Sequence, residues 1–293
     1  MIDSTRAAEK ISLAVIPIAD CAPVFLGKAK GFFLNHDLDV DLSTAGGGAV
    51  IIPNVVSGQM QMGFSNVTSL LIARDKGLRF IGLAPGAAST GVRGEDFSAI
   101  IAPGDSPIND AKDFENRTIA VNTLNNIGDI SIRVAVRTAG GDPSKVKFIE
   151  VPFPEVPPAI SDHRLEAAWV VEPFLTMTLS QGAKVVDWNL VGVAPQMMIA
   201  VYFTSESYAK EHPDTVARFK AALAESLAYA DAHPDEIRAI IPTFTRISPE
   251  IAAKITLPKW PAELNRQSTQ TIAELALKDG MISKKADISA FLP

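Results

Sequence analysis

Gly63-Phe64-Ser65-Asn66-Val67 falls one residue short of the G-x-S-x-G turn that lifts a nucleophilic serine above a sheet, with an apolar run before it and a helical pattern after it. Such a serine needs a histidine to take its proton, and His36, His163, His212 and His233 are scattered with no relation to it. Ser65 therefore reads as a helix cap before it reads as a nucleophile. Gly46-Gly47-Gly48 also follows an apolar run, but Ile51 occupies the place of the last glycine in a dinucleotide fingerprint. Gly27-Lys28 is similar to the end of a phosphate-binding loop, yet Ala29 replaces the hydroxyl that would hold magnesium. Cys21 is the single cysteine, which excludes an internal disulfide framework and a cysteine-based zinc site. No metal and no cofactor is expected.

What remains is a recurring kind of loop, rich in small and amide residues, that follows an apolar run and opens a helix. Six such loops occur, at 17–22, 44–49, 65–68, 122–126, 152–156 and 171–174. At the carboxyl edge of an open α/β sheet, unpaired N–H groups and the positive ends of helix dipoles converge, and ligands bind there. One loop alone is ordinary capping; six together predict a shared cleft for a small molecule.

The elements that position these loops alternate. Strands are expected at 11–17, 38–42, 62–64, 78–85, 97–103, 118–121, 146–151, 165–171, 184–188 and 195–205. Between them fall helices at 22–33, 49–57 and 67–76, then from 127, 155 and 173. Asn126 caps the helix from Ile127, with Asp129 three residues on, and Ile127, Ile130 and Val134 share a face. Beyond 205 only helices are expected. Two open with His-Pro-Asp, at His212 and His233, and the last covers 262–278. The pattern is that of an α/β protein with mostly parallel sheets.

At 293 residues the chain is long enough for two domains of ~150 residues. It is 47% apolar and 20% charged, which suits a globular protein with a core in each domain. Lys and Arg number 27 against 33 Asp and Glu, a net charge of −6, the wrong sign for a surface that tracks phosphates, so no nucleic acid partner is expected. No apolar run reaches the ~18–20 residues of a membrane span, and MIDSTRAAEK has no apolar signal core. The chain is then either cytoplasmic or a secreted protein whose export signal has been replaced by Met1.

IPIADCAPVFLGKAKGFF (16–33), GGGAVIIPNVVSGQMQMGFSNVTSLL (46–71), IAVNTLNNIGD (119–129) and the run from VPFPEVPPAI (151–160) to LEAAWVVEPFL (165–175) together resemble one family. It is that of the solute-binding proteins of ABC importers for nitrate, sulfonates, taurine and thiamine pyrimidine precursors, with the type II periplasmic-binding-protein fold. The resemblance covers nearly the whole chain. It implies two lobes, one formed by 1–95 and 195–293 and the other by 104–190, with hinge strands near 97–103 and 195–204. It also implies a periplasmic or other extracytoplasmic monomer that closes on a small solute and hands it to a membrane permease, without catalysis.

Carried over residue by residue, the resemblance places ligand contacts at Asp20 and Cys21, at Gly47 and Gly48, and at Ser65, Asn66 and Thr68 in the first lobe. In the second it places them at Asn122, Thr123 and Asn125, at Phe153 and Glu155, and at Glu172. Phe153, between prolines, is suited to stacking on a planar ligand, whereas Trp169 alternates with Val171 on a strand and reads as core. Glu172 either meets the ligand or stabilises the helix start at Pro173. The six loops hold no Arg or Lys, Arg93 is the nearby cation, and the acids are Asp20, Glu155 and Glu172. That balance favours a planar heterocycle or an amine-bearing compound over nitrate, a sulfonate or an aromatic acid. Enzymes share this fold. A pyrimidine synthase would need a cysteine-rich run that is missing, a small dehydratase would need only a carboxylate such as Asp20 or Glu155, and a cytoplasmic sensing domain is the third alternative.

Overall fold

Ten strands form within residues 7–293 of a computed structural model; the first six residues of MIDSTRAAEK lie outside the described residues. They are β1 (Glu9–Val15), β2 (Leu38–Thr44), β3 (Met62–Asn66), β4 (Phe80–Pro85), β5 (Ser98–Pro103), β6 (Thr118–Val121), β7 (Lys147–Glu150), β8 (Ala167–Val171), β9 (Ala183–Asp187) and β10 (Ala200–Ser205). Two five-stranded sheets result, ordered β2-β1-β3-β10-β4 and β7-β6-β8-β5-β9.

The two sheets repeat one plan. In the first, β1 runs parallel to β2 and β3, and β10 lies antiparallel between β3 and β4, with Ala200 opposite Asn66 and Val201 opposite Pro85. In the second, β6 runs parallel to β7 and β8, and β5 lies antiparallel between β8 and β9. Each antiparallel strand is the one that enters its sheet directly from the other. Every residue of β5 and of β10 is buried, as strands covered on both faces require, while β7 is an exposed edge.

Helices cover both sheets. In the helix Pro213–Ala232, Val216, Phe219, Leu223, Leu227 and Ala230 are buried at spacings of three and four, and Phe219 packs against Phe33. Asn126 caps the helix Ile127–Thr138 through Oδ1, which accepts from the N–H groups of Gly128 and Asp129 at 2.8 and 3.3 Å. Among the described residues no helix is long and apolar enough to cross a membrane.

Three boundaries differ most from the sequence pattern. The helix expected at 22–33 is two helices, Ala22–Ala29 and Phe32–Asn35, because Gly31 turns into the left-handed region at φ 78°. β10 begins at Ala200, not 195. Residues 197–199 are extended, but their ladder partners are the loop residues Ala87, Ala88 and Ser89. The last long helix starts at Arg266 instead of 262, where the Asn265 side chain accepts from Ser268 N–H at 2.9 Å.

Candidate functional site

The loops that follow β1, β2, β6, β7 and β8 meet at the carboxyl edges of the two sheets. Asn122 donates through Nδ2 to the Gly46 carbonyl at 3.1 Å, and Ala19 N–H donates to the Glu172 carbonyl at 3.0 Å. Residues 16–18 and 44–46 of the first sheet, with 152–154 and Phe174 of the second, line a half-open cavity of about 250 Å³. Its walls carry no charged side chain. A larger hollow of about 350 Å³ lies before β4, between Arg74 and Lys285, but it draws on no residue of the second sheet and has none of the predicted loops around it.

The wall is apolar because of where the chain puts proline and phenylalanine. Pro152 and Pro154 bracket Phe153, whose ring stacks at 15° to Phe174 with centroids 6.3 Å apart and meets Trp169 edge-on at 5.4 Å. Phe153 is thus held by its neighbours while one side lines the cavity. Trp169 is buried and donates through Nε1 to Ser98 Oγ at 2.7 Å, tying β8 to β5 as a core residue.

The glycine loop sits tightly against both sheets. A Cβ on Gly48 would lie 2.0 Å from Ser65 Oγ and 2.7 Å from Ser65 Cα, and one on Gly47 would lie 2.5 Å from Thr123 Cγ2. Only glycine lets this loop approach. Ser65 is fully buried at the end of β3 and is not the cap of the next helix. That role belongs to Asn66, whose Oδ1 accepts from Ser69 N–H at 2.9 Å, since the serine's side chain turns beneath Gly48. The contacts of the four histidines, to Glu225, Asp105, Tyr208 and Tyr229, involve neither Ser65 nor its neighbours. Thr68 is buried, with Oγ1 lacking a partner.

On the second sheet, Asn122 and Thr123 are buried and linked through Asn126, whose Nδ2 donates to Asn122 Oδ1 at 2.6 Å and to Thr123 Oγ1 at 3.3 Å. Asn125 stands apart. It is exposed at a positive φ of 55°, and its N–H donates to Asp129 Oδ2 at 2.8 Å. Glu155 is exposed in the turn Phe153–Glu155.

Two carboxylates are buried at the junction. Asp20 is 1% exposed, and neither oxygen has a partner from another residue. Burial first, then repulsion from Asp96, raises its pKa to about 7. Cys21 is buried beside it against Tyr202 of β10, and burial pushes both the thiol and the phenol upward. The Asp20 carbonyl accepts from Trp260 Nε1 at 3.1 Å. Glu172 is 2% exposed and fully engaged: Oε2 accepts from Thr176 N–H at 2.9 Å, and Oε1 accepts from Thr176 Oγ1 at 2.6 Å and from Thr256 N–H at 3.2 Å. Burial still outweighs those bonds and raises its pKa to about 7. Arg93 is occupied by an ion pair to Asp187 at 2.6 Å.

Sequence reasoning singled out neither Ile16, Ile18 and Ala45 nor Phe174, all of which line the cavity, because apolar residues beside strands read as core. Their place in the strand-to-helix loops was the available signal. Thr256 and Trp260 had none, since only the fold brings them to Glu172 and Asp20.

A family model described as NMT1/THI5 like matches residues 18–237. The chain belongs to the NMT1/THI5-like family. The matched span contains all thirteen candidate residues, and the fold is that of periplasmic binding proteins. The alkanesulfonate-binding protein SsuA from Xanthomonas axonopodis pv. citri superposes with a TM-score of 0.82 at 12% identity, over 99% of each chain. SsuA from Escherichia coli gives 0.78 at 14%, covering 97% of this chain and 92% of its own. The periplasmic nitrate-binding protein NrtA from Synechocystis PCC 6803 gives 0.79 at 15%, covering 96% and 84%. These identities carry the fold alone to this NMT1/THI5-like chain. No curated protein matches it at the sequence level.

Proposed function

We propose that this NMT1/THI5-like protein is an extracytoplasmic solute-binding protein. Two lobes, 1–95 with 195–293 and 104–190, close about the crossings into β5 and β10 on a small organic solute and present it to an ABC permease. The reading rests on the half-open cavity of about 250 Å³ that loops of both sheets line without a charged side chain. It is smaller than the ~300–1,000 Å³ of drug-sized pockets, which suits a compact guest. The named neighbours that bind sulfonates and nitrate share the architecture, which supports binding and release over catalysis.

Ring chemistry favours a planar heterocycle, because Phe153 and Phe174 offer aromatic faces at one wall. Charge favours a neutral or amine-bearing guest. Arg93 is spent on Asp187, whereas Asp20 keeps an uncompensated carboxyl beside the same loop. Asn122, Thr123, Ser65, Asn66 and Thr68 supply the amides and hydroxyls within reach once the lobes part.

A thermal-shift screen against pyrimidines, aromatic amines, alkanesulfonates, aromatic acids and nitrate tests this reading. A ligand at a hundred times its dissociation constant stabilises the native form by ~2.7 kcal/mol, a rise of several degrees in Tm. Shifts from heterocycles or amines, confirmed by calorimetry with the compound recovered unchanged, are expected. Shifts from sulfonates or nitrate alone would reverse the assignment of solute class, and conversion of a compound to product would replace binding with catalysis.

A further inference from the structure

Arg137, in the last turn of Ile127–Thr138, donates through Nη2 to Asp279 Oδ1 at 2.5 Å. The two residues belong to different halves of the molecule. The helix of Arg137 follows β6 of the second sheet, whereas Asp279 caps the carboxyl end of Arg266–Lys278, which packs on Val67–Asp75 of the first. Among the described residues, ion pairs join elements on opposite sides of the crossings at two places. The other, Arg93 to Asp187, lies beside the entry to β5, where little displacement accompanies a rotation.

The pair is also shielded. The Asp279 side chain is 7% exposed, that of Arg137 is 28% exposed, and Asp279 Oδ2 is buried without any partner. A shielded pair loses far more when one member is taken away than an exposed pair does. Rotation about the crossings moves Ile127–Thr138 against Arg266–Lys278, which pack on one another, so it stretches this contact.

We infer that Arg137 and Asp279 form a clasp, outside the cleft, that holds the two lobes in the closed arrangement. This rests on the hinged reading given above. Both are positioning residues, since neither lines the cavity.

Pulsed electron resonance between nitroxides on Gln59→Cys, exposed in the loop before β3, and Lys147→Cys, exposed on β7 of the other sheet, reads the separation of the lobes, and Cys21 is too buried to take a label. Asp279→Asn and Arg137→Met should each add a longer-distance component, and the exchanged pair Arg137→Asp with Asp279→Arg should restore the parent distribution. Should Asp279→Asn fail to fold, the distances in Arg137→Met alone decide between a clasp and none. Asn122→Ala, which removes the amide bridge to Gly46, separates the two ways of being wrong. If it lengthens the distances and the clasp variants do not, the clasp is refuted while the hinge stands. If no variant changes a single narrow distance, the hinged reading fails as well.

Discussion

Glu172, just after β8, accepts the Thr256 N–H at 3.2 Å and so ties the second sheet to the carboxyl-terminal segment of the first. Its carboxylate also holds the N–H and hydroxyl of Thr176, so three donors depend on one side chain. Near pH 4, where the Glu172 carboxyl is mostly neutral in the folded and the unfolded chain alike, Glu172→Ala strands the two amides and is expected to cost about 2–4 kcal/mol, whereas Glu172→Gln keeps an acceptor and should cost about half as much. Urea unfolding of the three proteins measures the difference, and equal losses in both variants would remove the role of the hydrogen bonds.

Asp20 sets a pH dependence whose sign follows from its burial. Its carboxyl titrates at about 7 in the native state against 3.8 when unperturbed, so between those pH values the native protein holds a proton that the unfolded chain releases. Stability therefore falls as pH rises from about 4 to about 7 and is level above. Glu172 acts in the same direction between 4.5 and about 7. Asp20→Asn should be more stable than the parent at pH 8, by up to about 4 kcal/mol, and no more stable near pH 4. Urea melts at the two pH values decide, and a gain that is the same at both would contradict the titration.

Gly48 and Gly46 form a matched pair for mutation. Gly48→Ala drives a methyl into Ser65, a short side chain on a central strand, and should destabilise by about 1–3 kcal/mol. Gly46→Ala meets nothing within 4 Å and should be close to neutral. Thermal melts that rank the two in the opposite order would overturn the account of the glycine loop.

Removing the Phe153 ring empties space between Trp169 and Phe174. Phe153→Ala should cost about 3–5 kcal/mol. Phe153→Leu keeps most of the volume and should remain folded while losing the thermal shift given by any planar compound found in the screen. Retention of that shift in the leucine variant would remove Phe153 from the solute wall.

Much of this architecture could be read from residues alone, and the reason is local. The short apolar runs that become β5 and β8 are bounded by polar and proline residues, and Asn126 caps its helix as its spacing predicts. What could not be read depends on distant partners. Residues 197–199 are as apolar as β10 itself, yet they pair with 87–89, and nothing nearby announces that. The antiparallel insertion of β5 and β10 is likewise a property of pairing, not of composition. At the site, loop position points to the region of the cavity, but apart from Phe153 and Cys21 the candidates that the loops offer are polar, charged or glycine. Asn125 and Glu155 turn out to be exposed while the cavity is walled by isoleucine, proline and phenylalanine.

The placement of β10 makes the two sheets unequal in the length of chain they need. All five strands of the second sheet lie within residues 98–187, so that sheet draws on no segment outside that stretch. The first sheet has four strands by Pro85, but the β3 and β4 edges stay unpaired until residues 200–205 slot between them. One sheet is thus drawn from a single continuous stretch, whereas the other cannot close until a strand more than a hundred residues beyond β4 is in place.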